Sequence, residues 1–142
     1  MAMSAENKAV VRRWFEAFNR GDLNAGAQVL HEGHVLHAPG GDARGPEGWK
    51  EFARVYRTAF PDCELVIEEL LADGDRIIIR FTARGTHGGV LAGIQATGRH
   101  VTVPSILICQ VSNGKVIESW ETFDQLAMFQ AIGTIPTVAA SA

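Results

Sequence analysis

Residues 114–133 read GKVIESWETFDQLAMFQAIG, and the rest of the chain is organised around the change from strand to helix within this stretch. Residues 115–123 are predicted to form the last strand, and residues 124–132 a short helix that ends at Gly133. Asp124 stands at the change from one to the other, with apolar residues close by. A carboxylate in such surroundings is predicted to be either a helix cap or a tuned acid or base.

Three further strands are predicted before this stretch. Alternation of period two covers residues 63–72, 76–85 and 99–111, and a glycine-rich segment, GTHGGVLAGIQATG, separates the last two. One face of the middle strand is predicted to carry Ile77, Ile79, Phe81 and Ala83. Short turns join most of these strands, so they are expected to form an antiparallel meander.

The first sixty residues are predicted to be mainly helical. Helices are expected over residues 4–20, 22–30 and 47–60, with a short strand at 31–38 and a turn-rich loop, PGGDARGPEG, after it. No alternation of single strands and helices appears, so a parallel sheet is not expected. The predicted fold class is α+β, with the helices packed on one face of a curved antiparallel sheet to form a cone. Residues 1–133 are predicted to be a single domain, and residues 134–142 a poorly ordered tail.

The composition excludes several classes of protein. The chain has 142 residues and a net charge of −3, with no basic stripe that would favour nucleic acid and no basic amphipathic helix that would favour a membrane. Cys63 and Cys109 are too few for a disulfide framework or a complete zinc site, so a reducing compartment is expected. The N-terminus lacks an apolar signal region, and a cytoplasmic location is therefore predicted.

Asp124 supports two interpretations. In a regular strand it shares a face with Val116, Glu118, Trp120 and Thr122, unless a bulge intervenes. If that face is the interior, Asp124 stands at the end of an apolar pocket, and desolvation raises its pKa towards that of a useful base. As a helix cap it would contribute about 1 kcal/mol instead. Both roles remain open, and one side chain could serve both.

The histidines offer weaker signals. His31, His34 and His37 are spaced by three, but HEGH is one residue short of the zinc motif and the context predicts a strand, so no metal site is predicted. His37, at the strand's end, is predicted to point inward, with a surface histidine as the alternative. His87 lies between glycines that would permit close approach to a ligand, or alternatively a mobile loop.

Several motifs resemble those of one family. They are RRWFEAFNRGDL, LHAP around His37, GPEGWKEFARVYRTAFPD, GDRIIIRFTARGTHGG, AGIQATGR and NGKVIESWETFDQLAMFQAIG. Through them the chain resembles the SnoaL-like polyketide cyclases, or ester cyclases, of the NTF2-like superfamily. The resemblance implies a cone-shaped α+β barrel that assembles into dimers or larger oligomers. It also implies an intramolecular aldol condensation without metal or organic cofactor, with Asp124 as general acid/base and His37 near the ligand.

The predicted function is therefore a cofactor-free enzyme acting on a small hydrophobic, carbonyl-bearing ligand, as a homodimer or tetramer without nucleic-acid or membrane partners. Asp124 is the predicted acid/base, and His37 and His87 are predicted to orient the ligand. The predicted walls are Trp14, Phe18, Trp49, Phe52, Tyr56 and Trp120. One alternative is a non-catalytic ligand-binding domain. Another is an epoxide hydrolase, hydratase or isomerase, which would need a second acid such as Glu118.

Overall fold

The computed structural model describes residues 2–135, which form four helices and six strands. The helices are α1 (Ala2–Arg20), α2 (Leu23–Gln28), α3 (Gly45–Ala59) and α4 (Gln125–Ala131). The strands are β1 (Leu30–Ala38), β2 (Gly41–Arg44), β3 (Glu64–Asp73), β4 (Arg76–Thr86), β5 (His100–Ser112) and β6 (Lys115–Phe123). The predicted α+β class is confirmed, and most predicted boundaries lie within two residues of these bounds.

A single curved sheet holds all six strands in the order β2-β1-β6-β5-β4-β3. Two features of it differ from the sequence expectation. Strand β1 runs parallel to β6, because the last strand returns beside the first one instead of continuing the antiparallel order. The loop expected at residues 39–48 contains strand β2, which folds back on β1 through a turn at Gly40, where φ is +96°.

Helices α1 and α3 cover one face of the sheet and form the main core with it. The apolar stripe of α1 is buried, and Phe15 meets Phe81 of β4 edge to face at 5.0 Å between ring centroids. Trp49 of α3 packs so closely on α2 that a Cβ at Gly26 would lie 2.5 Å from its ring. Each large apolar side chain buried in this way contributes about 1.5–3 kcal/mol.

The side chains of strand β4 alternate between the face covered by the helices and the outer face of the sheet. Ile77, Ile79 and Phe81 are buried under the helices, as predicted. Arg80 and Arg84 project outward and pair with carboxylates of the neighbouring strand β3. Within residues 2–135, helices α1 and α3 pack on the face opposite to these arginines, and the face that carries Arg80 and Arg84 is called the outer face.

An irregularity between β5 and β6 decides which side chains of β6 point inward. Val111 pairs with Val116, but Gln110 pairs with Glu118, so β6 carries one extra residue, a β-bulge, at Ile117. Val116 and Ser119 are both buried as a result, which a regular strand would not allow. The bulge left open by the sequence therefore occurs, and it separates Val116, which is buried, from Glu118, Trp120 and Thr122, which lie on the other face.

Two further expectations concern the ends of the chain and its thiols. From residue 136 onward, the tail predicted at 134–142 lies outside the described residues. Across residues 2–135, no helix combines the length and the apolar character needed to cross a membrane. Cys63 and Cys109 are both free thiols.

Candidate functional site

A cavity lies between the helices and the covered face of the sheet. The cavity has a volume of about 110 Å³, and its lining is mostly apolar. Five of the six predicted wall residues line it, namely Trp14, Phe18, Trp49, Phe52 and Tyr56. The sheet and α4 add Phe81, Val101, Val103, Leu107, Phe123 and Met128, among others. Aromatic walls of this kind favour a flat, hydrophobic ligand.

Glu121 is the acidic residue among those that line the cavity. It follows the bulge in β6, which turns Ser119, Glu121 and Phe123 towards the helices. Burial among apolar side chains raises the pKa of its carboxyl to about 7, because the charged form loses its hydration. Within residues 2–135 no hydrogen bond or ion pair ties this carboxyl to another side chain. Glu121 can therefore accept or release a proton near neutral pH.

Tyr56 is the phenolic group at the same cavity. Its ring contacts Phe52 of α3 at 5.1 Å and Phe123 of β6 at 6.0 Å, measured between centroids. Burial raises the pKa of its hydroxyl, and the negative charge of Glu121 raises it further. The hydroxyl is therefore protonated at neutral pH and available as a hydrogen-bond donor.

Arg84 is the basic residue that borders the cavity, and its charge is already matched. Its Nε and Nη2 atoms donate to Oε1 of Glu64 at 3.1 and 2.7 Å on the exposed side of the sheet. Cys63 also borders the cavity, and burial raises the pKa of its thiol, which therefore stays protonated. An anionic ligand would find no unpaired cation among the lining residues.

Asp124 lies outside this cavity. It is exposed and caps α4, where its Oδ1 accepts a hydrogen bond from the backbone N–H of Ala127 at 2.9 Å. It borders a shallow depression on the outer face together with Arg80 and Thr122. The expected placement of Asp124 in an apolar pocket is wrong, because the bulge shifts the inward set of β6 to Glu121 and Phe123. The capping interpretation of Asp124 is confirmed, and its acid/base role stays a prediction.

His37 points outward, contrary to the sequence expectation. Its Nδ1 lies 2.9 Å from Asp42 Oδ1, and its Nε2 lies 2.6 Å from Glu118 Oε2. The hydrogen bonds to Glu118 and then to Asp42 raise the pKa of His37. Its ring stacks on Trp120, which is itself covered by Arg76 at 4.9 Å. Neither His37 nor Trp120 lines the cavity, so the predicted wall at Trp120 is wrong.

The inward histidine of β1 is His34. It is fully buried, its Nε2 is hydrogen-bonded to Ser119 Oγ at 3.0 Å, and desolvation lowers its pKa to about 4. Alternation along β1 places His34 and Leu36 inward, which forces Val35 and His37 to the other face. The alternation with Leu36 was the signal that could have identified His34 as a core histidine.

His87 is buried and organises the glycine-rich segment. Its Nδ1 accepts the backbone N–H of Thr97 at 3.2 Å, and its own backbone N–H donates to Arg99. Next to it, a Cβ at Gly89 would overlap the carbonyl oxygen of Thr58 at the end of α3. His87 does not line the cavity, so the expected ligand contact is not observed and the mobile-loop alternative does not fit its packing.

Two other placements bear on the alternatives. Glu118, the second acid that an epoxide hydrolase would need, lies on the outer face with His37. Among residues 2–135 no group of three or more His, Cys, Asp or Glu side chains is arranged to hold a metal ion. The residues that the structure brings together are Glu121, Tyr56 and the aromatic walls. Sequence reasoning missed Glu121 because the β-bulge at Ile117 decides which alternate residues of β6 point towards the helices.

Comparisons with known proteins identify the family of this chain. The sequence model of the family described as SnoaL-like polyketide cyclase matches residues 8–132. The chain is 30% identical over 131 residues to the aklanonic acid methyl ester cyclase DauD of Streptomyces sp. (strain C5), with 87% of this chain and 80% of that protein covered. DnrD of Streptomyces peucetius, also named an aklanonic acid methyl ester cyclase, is 28% identical, with 87% and 88% covered. Among solved structures, AclR of Streptomyces galilaeus, a candidate hydroxylase, matches with a TM-score of 0.85 and 27% identity over 94% of this chain and 85% of that chain.

Proposed function

Because the chain belongs to the SnoaL-like polyketide cyclase family, we propose that it closes a ring in a small hydrophobic, carbonyl-bearing ligand by intramolecular aldol condensation. The observation that carries the proposal is Glu121, whose carboxyl has a pKa of about 7 and borders an apolar, aromatic cavity. A group with that pKa can serve as base and as acid in one turnover at neutral pH. The names of the relatives DauD and DnrD support an ester substrate of the polyketide class.

The chemistry needs one residue in two protonation states. The Glu121 carboxylate removes a proton from a carbon beside a carbonyl group, and an enolate forms. The enolate carbon attacks a second carbonyl carbon of the same molecule. The oxygen of that second carbonyl group then takes the proton from the Glu121 carboxylic acid. Atoms and electrons balance within the substrate, so no co-reactant is needed. Positioned proton transfer of this kind contributes roughly 10²–10⁴-fold to the rate.

The aromatic walls supply orientation in this proposal. Trp49, Phe52 and Tyr56 lie along one helix, so a flat ring system can pack against all three. Each aromatic contact contributes about 0.5–1.5 kcal/mol beyond the burial of its area. Holding the two carbonyl groups of one molecule together favours ring closure over reaction with water.

A matched pair of variants tests the acid/base assignment. With aklanonic acid methyl ester as probe, Glu121→Gln should lower kcat by at least about 10²-fold, because the amide cannot carry the proton. Asp124→Asn should stay within about tenfold of wild type, because asparagine caps a helix as aspartate does. Product formation is followed by liquid chromatography. The opposite ranking of the two variants would return the role to Asp124.

A non-catalytic binding domain predicts another result. Such a protein would bind the same probe without consuming it, and Glu121→Gln would leave its affinity unchanged. A raised pKa is not needed for binding alone, whereas an acid/base residue depends on it. Titration of the Glu121 carboxyl by NMR, in the presence and absence of probe, therefore complements the kinetic test.

We also propose that the protein is a homodimer that acts in the cytoplasm. The outer face of the sheet exposes Leu71, Ile106 and Ile108 by 51%, 44% and 36%. Strand register aligns Leu71, Ile78, Ile108 and Trp120 in one row across four strands. Such a row favours association with a second copy of the chain. Light scattering should give a dimer for wild type and a monomer for Ile108→Lys, and two free thiols fit a reducing compartment.

A further inference from the structure

Tyr56 is held in the cavity from two sides. It lies on α3, four residues after Phe52 and four before Phe60, the residue that follows the helix end, and all three side chains line the cavity. Its ring contacts Phe52 on its own helix and the edge of Phe123 on β6, at an interplanar angle of 86° to the latter. Because contacts from two different elements fix the ring, the position of the hydroxyl at its end is fixed as well.

The hydroxyl of Tyr56 makes no hydrogen bond with any group of residues 2–135. Tyrosine hydroxyls at partly buried positions usually find a hydrogen-bond partner. Burial and the charge of Glu121 both keep this phenol protonated. It is therefore a fixed donor without a protein acceptor, at a cavity that can admit a ligand.

The position of Glu121 shows which ligand atom this donor suits. Glu121 and Phe123 project from the same side of β6, and Phe123 is one of the two rings that hold Tyr56. A base and a hydrogen-bond donor thus border the same cavity, close enough for the charge of Glu121 to act on the Tyr56 hydroxyl. A carbonyl compound bound there would present its acidic C–H group to the base and its oxygen to the donor.

Three other donors near the cavity are already occupied or buried. The hydroxyl of Ser105 donates to the carbonyl oxygen of Val103 at 3.3 Å. The guanidinium of Arg84 is bound to Glu64. The indole Nε1 of Trp14 also lacks a partner among residues 2–135, but this atom is itself buried.

We propose that Tyr56 donates a hydrogen bond to the carbonyl oxygen of the substrate that becomes the enolate oxygen when Glu121 removes the adjacent proton. This assignment rests on the proposed aldol function and names the group that stabilises its first intermediate. The phenol keeps its proton throughout, so the balance of the reaction is unchanged. Loss of one donor of this kind lowers kcat by about 10²–10³-fold in other enzymes.

Tyr56→Phe is a clean perturbation, because it removes the hydroxyl and keeps the ring that packs on Phe52 and Phe123. Two probes separate hydrogen bonding from packing: 2-naphthol carries an oxygen on a flat ring system, and naphthalene has the same rings without it. Calorimetric titration should show that Tyr56→Phe binds 2-naphthol roughly tenfold more weakly, as expected for one lost hydrogen bond to a ligand oxygen. Naphthalene binding should change by less than about twofold, since packing accounts for it.

Each outcome decides the proposal. Equal affinity of wild type and Tyr56→Phe for 2-naphthol overturns it, as does a wild-type protein that binds neither probe. Retained naphthalene affinity shows that the variant is folded with its cavity intact, and equal losses for both probes overturn the role of the hydroxyl.

Kinetics with aklanonic acid methyl ester keep the two proposals distinguishable. If both hold, Glu121→Gln abolishes turnover and Tyr56→Phe lowers kcat by about 10²-fold with little change in KM. If only the Tyr56 assignment fails, Glu121→Gln still abolishes turnover, while Tyr56→Phe matches wild type in kcat and in 2-naphthol affinity. If the acid/base function fails, Glu121→Gln remains active, and the assignment of Tyr56 to an enolate falls with it.

Discussion

The raised pKa of Glu121 has a consequence for stability that can be measured without knowing the substrate. Between the unfolded and folded states the pKa of this carboxyl rises from 4.5 to about 7. Below pH 4.5 the group is protonated in both states, so it contributes no pH dependence. Between pH 4.5 and 7 the folded protein holds a proton that the unfolded chain has lost. The free energy of unfolding therefore falls as the pH rises through this window, and levels off above it.

The size of the effect follows from the shift. One pKa unit corresponds to about 1.4 kcal/mol, so the full shift corresponds to roughly 3 kcal/mol. Glu121 is half-buried and borders an open cavity, which lets some water reach the carboxyl. We therefore take 3 kcal/mol as an upper bound and expect about 1–3 kcal/mol. Such a difference is a substantial part of the 5–15 kcal/mol that stabilises an ordinary domain.

Glu121→Gln isolates this contribution, because glutamine resembles the protonated acid and does not ionise. Urea unfolding of wild type and variant at intervals between pH 4.5 and 8 gives the two free energies. Their difference should be small at pH 4.5 and should reach about 1–3 kcal/mol in favour of the variant at pH 8. Contributions from other titrating groups cancel in the difference. The variant would then be more stable and less active, as expected for an acid/base residue held in an apolar site.

Asp124→Asn is the control for this measurement. Asp124 is exposed and caps α4, and asparagine can accept the same hydrogen bond from Ala127. Its unfolding profile should follow that of wild type between pH 4.5 and 8. Parallel profiles for wild type and Glu121→Gln would refute the assignment of a desolvated carboxyl to Glu121. A flattened profile for Asp124→Asn would move that property to Asp124.

Three further predictions concern other residues. On folding, the pKa of His34 falls from 6.5 to about 4, so lowering the pH from 6.5 to 4 should reduce the free energy of unfolding by up to about 3 kcal/mol. His34→Met should remove this pH dependence in urea titrations. The hydrogen bond to Glu118 raises the pKa of His37, so the stability that His37 contributes is present below pH 6.5 and is lost as the pH rises through the pKa of the folded state. NMR titration of the His37 ring should give a pKa above 6.5, and this pKa should fall in Glu118→Gln. Gly89→Ala should destabilise the fold by about 1–3 kcal/mol, because the added methyl group overlaps the backbone carbonyl oxygen of Thr58. Urea unfolding measures this loss, and a Gly89→Ala protein as stable as wild type would contradict the packing.

Local periodicity was enough to predict every element of residues 2–135 except the short strand β2 (Gly41–Arg44), which was expected to be a loop. Strand β6 lies at the predicted residues 115–123, and α1 ends at Arg20 as expected. The aromatic spacing of α1 and α3 also predicted five wall residues of the cavity, because residues three and four apart on a helix share one face. The cap at Asp124 follows from local sequence in the same way, since a cap involves a backbone amide three residues away.

Pairing between distant strands decided the rest. The extra residue at Ile117 exists only in the register of β6 against β5, and it exchanges the inward and outward sets beyond it. For that reason Glu121 borders the cavity while Asp124 lies outside it, although both carboxylates belong to the same short stretch. The parallel pairing of β1 with β6 likewise brings His34 to Ser119 and His37 to Glu118 from more than eighty residues away. Sequence alone therefore determined every element but β2 and which helix faces are aromatic, and the tertiary register determined which carboxylate borders the apolar cavity.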